Sequence, residues 1–190
     1  MTVKPLDDPT ILFVGRIAPN KAFQDIIAAA ALLRTKIPNV KVRFVGDTSF
    51  TSYYSYLTKL VSQLALEDVV TFTGRVTETQ LATEYLSAQV FCCLSDHEGF
   101  GVPILEAMKL GLPVIAYNAA AVPETLGNAG LLINNKSPII VATAIERVIT
   151  DQNLSKSMTA AGEQRAAKFS ENYTASKFFS AINSMGDYEN

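Results

Sequence analysis

The chain predicts a doubly wound α/β domain: a mainly parallel six-stranded sheet with helices on both faces and extra helices at the C-terminal end. Three observations carry this expectation. Six short β-rich runs are continuously apolar instead of alternating, the pattern of strands buried on both faces: ILFVG (11–15), VKVRFVG (40–46), VVTFTG (69–74), QVFCCL (89–94), PVIAY (113–117) and GLLIN (130–134). A stretch with helical spacing follows each run, so strand, loop and helix repeat along the chain. At 190 residues the chain has the length of one domain with a substantial core.

Residues 1–9 (MTVKPLDDP) are polar with two prolines and read as a leader or linker, leaving 10–190 as a single Rossmann-like domain. After the first strand, Asn20 is placed to cap a helix whose apolar stripe is Phe23, Ile26, Ile27, Ala30 and Leu33, with Lys21 in its first turn. Tyr53, Tyr56, Leu57, Leu60, Val61 and Leu64 mark the second helix, and a shorter one runs from near Glu78 to Ala88. The fourth strand leads into SDHEGFGVPILEAMKLG (95–111), a tight loop that becomes a helix, with Pro103 at an early position where its missing N–H costs least. Glu124, after Val122-Pro123, starts a short helix. From Pro138 the spacing stays helical to about Met185, with breaks near Gln152 and Ser170; Phe178, Phe179 and Ile182 fit either ordinary core or a face that docks on another domain.

Hydrophobic residues make up 48% and charged residues 18%, a globular balance, and the formal net charge of −2 lacks the basic excess that neutralises a nucleic-acid backbone. Cys92 and Cys93 are neighbours on one strand, so they point to opposite faces and read as small buried hydrophobes, not as a disulfide. His97 is the single histidine, which excludes a His-rich metal cluster; as an isolated loop residue it reads as exposed. The longest apolar run, Ile26 to Leu33, is far short of the roughly 20 residues that span a bilayer, and nothing resembles a signal peptide. A cytoplasmic setting is expected.

On doubly wound sheets, ligands bind beyond the carboxyl ends of the strands. The loops Gly15–Lys21, Gly46–Thr48, Gly74–Glu78 and Ser95–Gly101 all fall at that edge. A strand-to-helix loop gathers unpaired backbone N–H groups and the positive end of the helix dipole, so 95–111 attracts anions. Arg16 and Lys21 flank a phosphate-sized site, one as a bidentate fork and the other as a mobile point charge. Glu98 in the loop and Glu106 in the following helix can line one cleft from different directions, and a carboxylate accepts paired hydrogen bonds from vicinal hydroxyls. Plain structural readings stand beside these: solvated surface cations, a solvated loop glutamate, and a glutamate partnering the helix dipole. Gly99 and Gly101 let the backbone approach a ligand closely.

The spacing Glu98-x7-Glu106 within EGFGVPILEAM, with GRIAPNK (15–21), FVGD (44–47) and VTFTGRV (70–76), resembles the C-terminal, nucleotide-sugar-binding domain of retaining glycosyltransferases of the GT-B fold. These are the glycogen-synthase-like and mannosyltransferase-like enzymes of glycosyl transferases group 1. The resemblance implies a catalytic set of Arg16, Lys21 and Glu98, the two cations on the donor diphosphate and Glu98 on the donor sugar. It implies that Glu106 holds the ribose hydroxyls, that Gly15, Gly46 and the backbone near Arg75 and Val76 border the nucleotide, and that the amides of Phe100, Gly101 and Val102 meet sugar hydroxyls and phosphate. No metal and no cofactor is implied, the donor being a UDP-, GDP- or ADP-sugar whose departing diphosphate the cations and helix terminus would offset.

Two departures from the pattern are present. Ala22 stands where glycine often follows the lysine, and Asp47-Thr48 replaces the common Asp-Gly. The resemblance covers one of two domains, so an N-terminal acceptor-binding half would come from the same parent protein or from a partner chain, and through it a membrane surface could be reached. The chain alone is expected to bind a donor and to transfer a hexose poorly or not at all. A sugar-nucleotide epimerase half and a non-catalytic nucleotide-binding or assembly module are the alternatives. Product analysis without an acceptor separates the first; an unusually apolar strand-end face would mark the second.

Overall fold

All six predicted strands form in the computed structural model, which describes residues 8–169. The elements run β1 (Thr10–Val14), α1 (Phe23–Arg34), β2 (Lys41–Val45), α2 (Thr51–Gln63), β3 (Val70–Gly74), α3 (Glu78–Ser87), β4 (Val90–Cys93), α4 (Val102–Lys109), β5 (Val114–Tyr117), α5 (Val122–Leu126), β6 (Leu131–Ile133), α6 (Pro138–Thr150) and α7 (Gln152–Ala167). The expected leader, Asp8 and Pro9 apart, lies outside the described residues. So do the break near Ser170 and Phe178, Phe179 and Ile182.

Every strand pair is parallel, in the order β3-β2-β1-β4-β5-β6. The chain winds outward from β1 to β3, then returns across the sheet to β4 and winds the other way. The switch point is therefore the gap between the carboxyl ends of β1 and β4. Right-handed crossovers put α1 and α2 on one face and α3, α4 and α5 on the other. The last helices complete these layers, α6 packing on α1 and α7 on α4.

Continuous apolar runs became central strands because both faces are covered. Ile11, Leu12, Val90, Phe91 and Cys92 have no exposed surface. The whole stripe of α1, Phe23, Ile26, Ile27, Ala30 and Leu33, is equally enclosed. Phe23 is the anchor: its ring meets Phe13 edge-on at 4.8 Å and Phe44 at 4.9 Å, so the first residue of α1 is pinned over β1 and β2. Burying one such ring stabilises the fold by about 2–3 kcal/mol.

Local details differ from expectation at three points. Asn20 does not cap α1, and Lys21 is not in its first turn: both belong to a separate 3-10 turn, Pro19–Lys21, and α1 starts after it. The capping position is Ala22, in left-handed geometry at φ 53°, ψ 41° and without a side-chain acceptor. Its place as a cap is taken from another helix: the Tyr53 hydroxyl of α2 accepts from the Phe23 amide at 3.2 Å and donates to the Gln24 side chain. Finally, the apolar stripe of α2 is narrower than predicted. Tyr53, Leu57 and Val61 are buried, whereas Tyr56 stacks outside Tyr53 and is 49% exposed, and Leu64 lies past the helix end at 38%.

At the carboxyl ends of β1, β2 and β3 the backbones are laced together. Gly15 N–H donates to Val45 O, Ile17 N–H to Asp47 O and Gly46 N–H to Gly74 O, all at 2.9–3.0 Å. Gly46 has φ +150°, and a Cβ there would lie 2.0 Å from the Gly15 carbonyl oxygen. Only glycine permits so close an approach.

Candidate active site

The two loops that flank the switch point are tied to each other. Lys21 Nζ lies 2.6 Å from Glu98 Oε1, which joins the β1 exit to the β4 exit across the crevice. The backbone repeats the link: the Asp96 amide donates to Asn20 O at 2.9 Å. Glu98 Oε1 also accepts from the Ser95 hydroxyl at 2.7 Å, and the Cys93 thiol stands 3.8 Å away. Ser95 is fully buried, so its hydroxyl has no solvent alternative to these neighbours. Burial pushes the Cys93 thiol up to about 11, and it stays protonated at neutral pH as a weak donor. Glu98 is thus oriented from three sides, a carboxylate held in place with part of its surface open to the crevice.

Arg16 follows one residue after Gly15, exposed and with no carboxylate partner among the described residues. Across the gap, the loop from Ser95 reaches α4 through Gly101, whose φ of +77° is the left-handed geometry that glycine accepts. The turn leaves donors free. Gly101 O receives the amides of Ile104 and Leu105, while those of Phe100, Gly101 and Val102 find no acceptor among the described residues. Together with the dipole of α4 they form a positive concavity. Phe100 O is held by the Thr125 hydroxyl of α5, which keeps the loop from swinging away.

The motif's second glutamate takes a different partner. Glu106 Oε2 accepts from the Tyr85 hydroxyl of α3 at 2.8 Å, and Tyr85 itself is buried. Burial first, then this hydrogen bond to a carboxylate, raise the phenol far above its ordinary range, so it remains a donor at any physiological pH. Glu106 Oε1 has no hydrogen-bond partner among the described residues. No direct hydrogen bond joins Glu98 to Glu106, and the two have separate partners.

The flank beyond β2 and β3 is looser. Arg75 is exposed and pairs with Asp47. The hydrogen bond from Arg75, then the Ser49 amide, hold the Asp47 carboxyl below its usual value. Gly15 and Gly46 make the floor here, and Val76 is half-buried beside Arg75. His97 is exposed in the β4 loop. Among the described residues no group of three or more His, Cys, Asp or Glu side chains is gathered as metal ligands would be, and no helix is long and apolar enough to cross a membrane.

Three positioning contacts come from residues given no role by the sequence, one of them, Ser95, at the head of the loop 95–111. Tyr85 orients Glu106, Ser95 orients Glu98, and Lys136, in the loop after β6, pairs with both Asp25 and Asp96. A signal for Lys136 was present, since the loop after β6 lies at the same strand-end edge as the others. Burial lowers the Lys136 ammonium and the hydrogen bonds it donates to Asp96 and Asp25 raise it, with a net upward shift.

Both the sequence and the fold have known relatives. Residues 2–165 match the family described as glycosyl transferases group 1. The GDP-mannose-dependent alpha-(1-6)-phosphatidylinositol monomannoside mannosyltransferase of Mycobacterium tuberculosis is 32% identical over 165 residues, covering 82% of this chain and 42% of the relative. Sucrose-phosphate synthase from Thermosynechococcus elongatus superimposes with a TM-score of 0.80 at 29% identity, over 97% of this chain and 47% of that one. The C-terminal domain of a glycosyl transferase group 1 family protein from Francisella tularensis does so at 0.75 and 28%, covering 85% of each chain. The chain spans less than half the length of the curated relatives it matches. A six-stranded parallel sheet, the four ordered motifs at its carboxyl edge and a match over most of the sequence agree: the chain belongs to glycosyl transferases group 1.

Proposed function

We propose that the crevice between β1 and β4 holds the diphosphate sugar of a nucleotide-sugar donor, and that the chain is the donor half of a metal-independent hexosyltransferase. The observation that carries this is the Lys21–Glu98 pair across the switch point, with Arg16 on the β1 exit and the α4 loop amides on the β4 exit without partners among the described residues. One wall offers positive charge and the other an oriented carboxylate, the two chemistries that a sugar diphosphate needs. The mannosyltransferase relative is GDP-mannose-dependent by name, which supports a donor of this class.

In this reading Arg16 and Lys21 grip the diphosphate, and Glu98 accepts hydrogen bonds from the donor sugar. The amides of Phe100, Gly101 and Val102 meet sugar hydroxyls and phosphate. Glu106 takes the ribose hydroxyls through the oxygen that Tyr85 leaves open. Gly15, Gly46, Arg75 and Val76 border the nucleotide. As the glycosidic bond breaks, negative charge grows on the departing nucleoside diphosphate, and preorganised cations offset it without reorganising; one such donor is worth about 3 kcal/mol of barrier. Transfer with retained anomeric configuration, an acceptor bound by a second, N-terminal half, and weak or absent transfer by the chain alone complete the proposal.

Calorimetric titration of the chain with UDP-, GDP- and ADP-sugars tests it. At least one binds, and Arg16→Ala weakens that binding at least tenfold, the scale of one lost charge-assisted contact of about 1.5–3 kcal/mol. Absence of binding across the panel overturns the donor reading. Robust transfer to an acceptor by the chain alone overturns the half-site reading.

A further inference from the structure

Lys136 lies outside every sequence motif, yet its ammonium joins three other segments of the strand-end edge. Nζ is 3.2 Å from Asp25 Oδ2 in the first turn of α1. It donates to Asp96 Oδ1 and, at 3.4 Å, to Leu94 O, both on the β4 exit. It sits 4.8 Å from the centroid of the Tyr117 ring at the end of β5. The side chain is 19% exposed, so this is a partly buried junction and not a waving surface lysine.

The two carboxylates it holds stand on opposite walls of the crevice. Asp25 follows Lys21 on the α1 side, while Asp96 shares a loop with Ser95 and Glu98 on the β4 side. Without a cation between them, two carboxylates repel each other, and both would repel an arriving diphosphate. An ammonium has three N–H donors, and three oxygen acceptors are within reach: Asp25, Asp96 and Leu94 O. Nothing is left over for a phosphate.

We propose that Lys136 is a positioning residue for the donor site: by neutralising Asp25 and Asp96 together it sets the spacing between the wall that carries Lys21 and the wall that carries Glu98. This rests on the donor reading above. The role is one of geometry and charge, not of contact with the ligand. A lysine that holds two walls can be replaced by arginine, whose fork serves two carboxylates, and becomes dispensable once both carboxylates are neutral.

The test measures two readouts on the full chain, sugar-nucleotide affinity by calorimetry and backbone hydrogen exchange at Gly99–Val102. The variants are Lys136→Met, Lys136→Arg and the triple Asp25→Asn/Asp96→Asn/Lys136→Met. Lys136→Met is expected to weaken donor binding about tenfold, the cost of a slightly misplaced site, and to speed exchange in the loop. Lys136→Arg and the triple variant recover both to within about threefold of the parent; recovery in the triple variant, which has no cation at this position, is what a lysine contacting phosphate would not allow. Unchanged affinity and exchange in Lys136→Met overturns the proposal. So does weakened affinity that the triple variant fails to recover. If the parent binds none of the sugar nucleotides, the donor reading falls and exchange decides for the clamp: faster exchange reversed in the triple variant upholds it, and unaltered exchange overturns it.

Discussion

At the centre of the sheet, Lys21 and Glu98 close the gap between β1 and β4 with side chains 19% and 11% exposed; two strands away, Asp47 and Arg75 join the exits of β2 and β3 with side chains 24% and 81% exposed. Both are single ion pairs between loops at the same edge. The central one is supported by a buried serine, a second backbone link and a neighbouring lysine clamp. The flanking one has backbone links beneath it too, Gly46 N–H to Gly74 O and Ile17 N–H to Asp47 O, but its side chains rest on the Ser49 amide and otherwise on solvent. A partly buried charge that loses its partner is left in a poor medium, whereas an exposed one is rehydrated. The side chains therefore form a firm centre beside an adjustable flank, which on the donor reading proposed above would hold the diphosphate and the base in turn.

The largest break in this contrast is Lys21→Ala. It strands Glu98 with only Ser95 and Cys93, so we expect a loss of about 1–2 kcal/mol in denaturant unfolding and a fall of about a hundredfold in donor affinity by calorimetry. Near-normal affinity would make the centre no more demanding than the flank. Next is the turn that presents Lys21. Ala22 is left-handed and fully enclosed, so Ala22→Val puts a β-branched residue at positive φ and should cost more than about 2 kcal/mol. Ala22→Gly should stay within about 1 kcal/mol of the parent, relief of strain offsetting a lost buried methyl. Equal melting curves for the two variants would show that the turn is not tight.

Ser95→Ala comes third. It removes a buried hydroxyl from Glu98, with an expected cost of about 1 kcal/mol in stability and a severalfold weaker donor affinity. Smallest of all is Asp47→Asn, which should leave the melting temperature at neutral pH unchanged while altering the preference among UDP-, GDP- and ADP-sugars. The folded-state shift of Asp47 is downward, so its contribution is present above the ordinary carboxylate pKa and fades as pH falls through the lowered value. A parent and variant whose stabilities differ at pH 7 and converge only as pH falls through that lowered value would move Asp47 from the adjustable class to the rigid one.

The division between what could and could not be read from the residues has the same physical root. Strands β1 and β4 announce themselves because a double-faced burial demands an unbroken apolar run, and Glu98, Arg16 and Lys21 stand at the ends of such runs. Helix α1 shows its stripe for the same reason. The capping of α1 does not show, since its acceptor comes from Tyr53, which is 30 residues from Phe23. Tyr85 and Glu106 are 21 residues apart, and Lys136 and Asp96 are 40 apart. Such partners meet only once the strand order is known, so local spacing carries no trace of them. Asn20 illustrates the converse: it is a good capping residue by type, but Pro19 starts a tight 3-10 turn that takes it out of the helix.

The meeting of Gly46 with the Gly15 carbonyl limits how this site can diversify. Where the β1 and β2 exits meet beside the crevice there is main chain against main chain, with no room for a methyl group at Gly46. Mutation there can only wedge two strands apart, and it offers a new ligand nothing to hold. Redesign of the ligand preference must work through side chains around the cleft, at positions such as Asp47, Arg75 and Phe100, leaving this contact as it is.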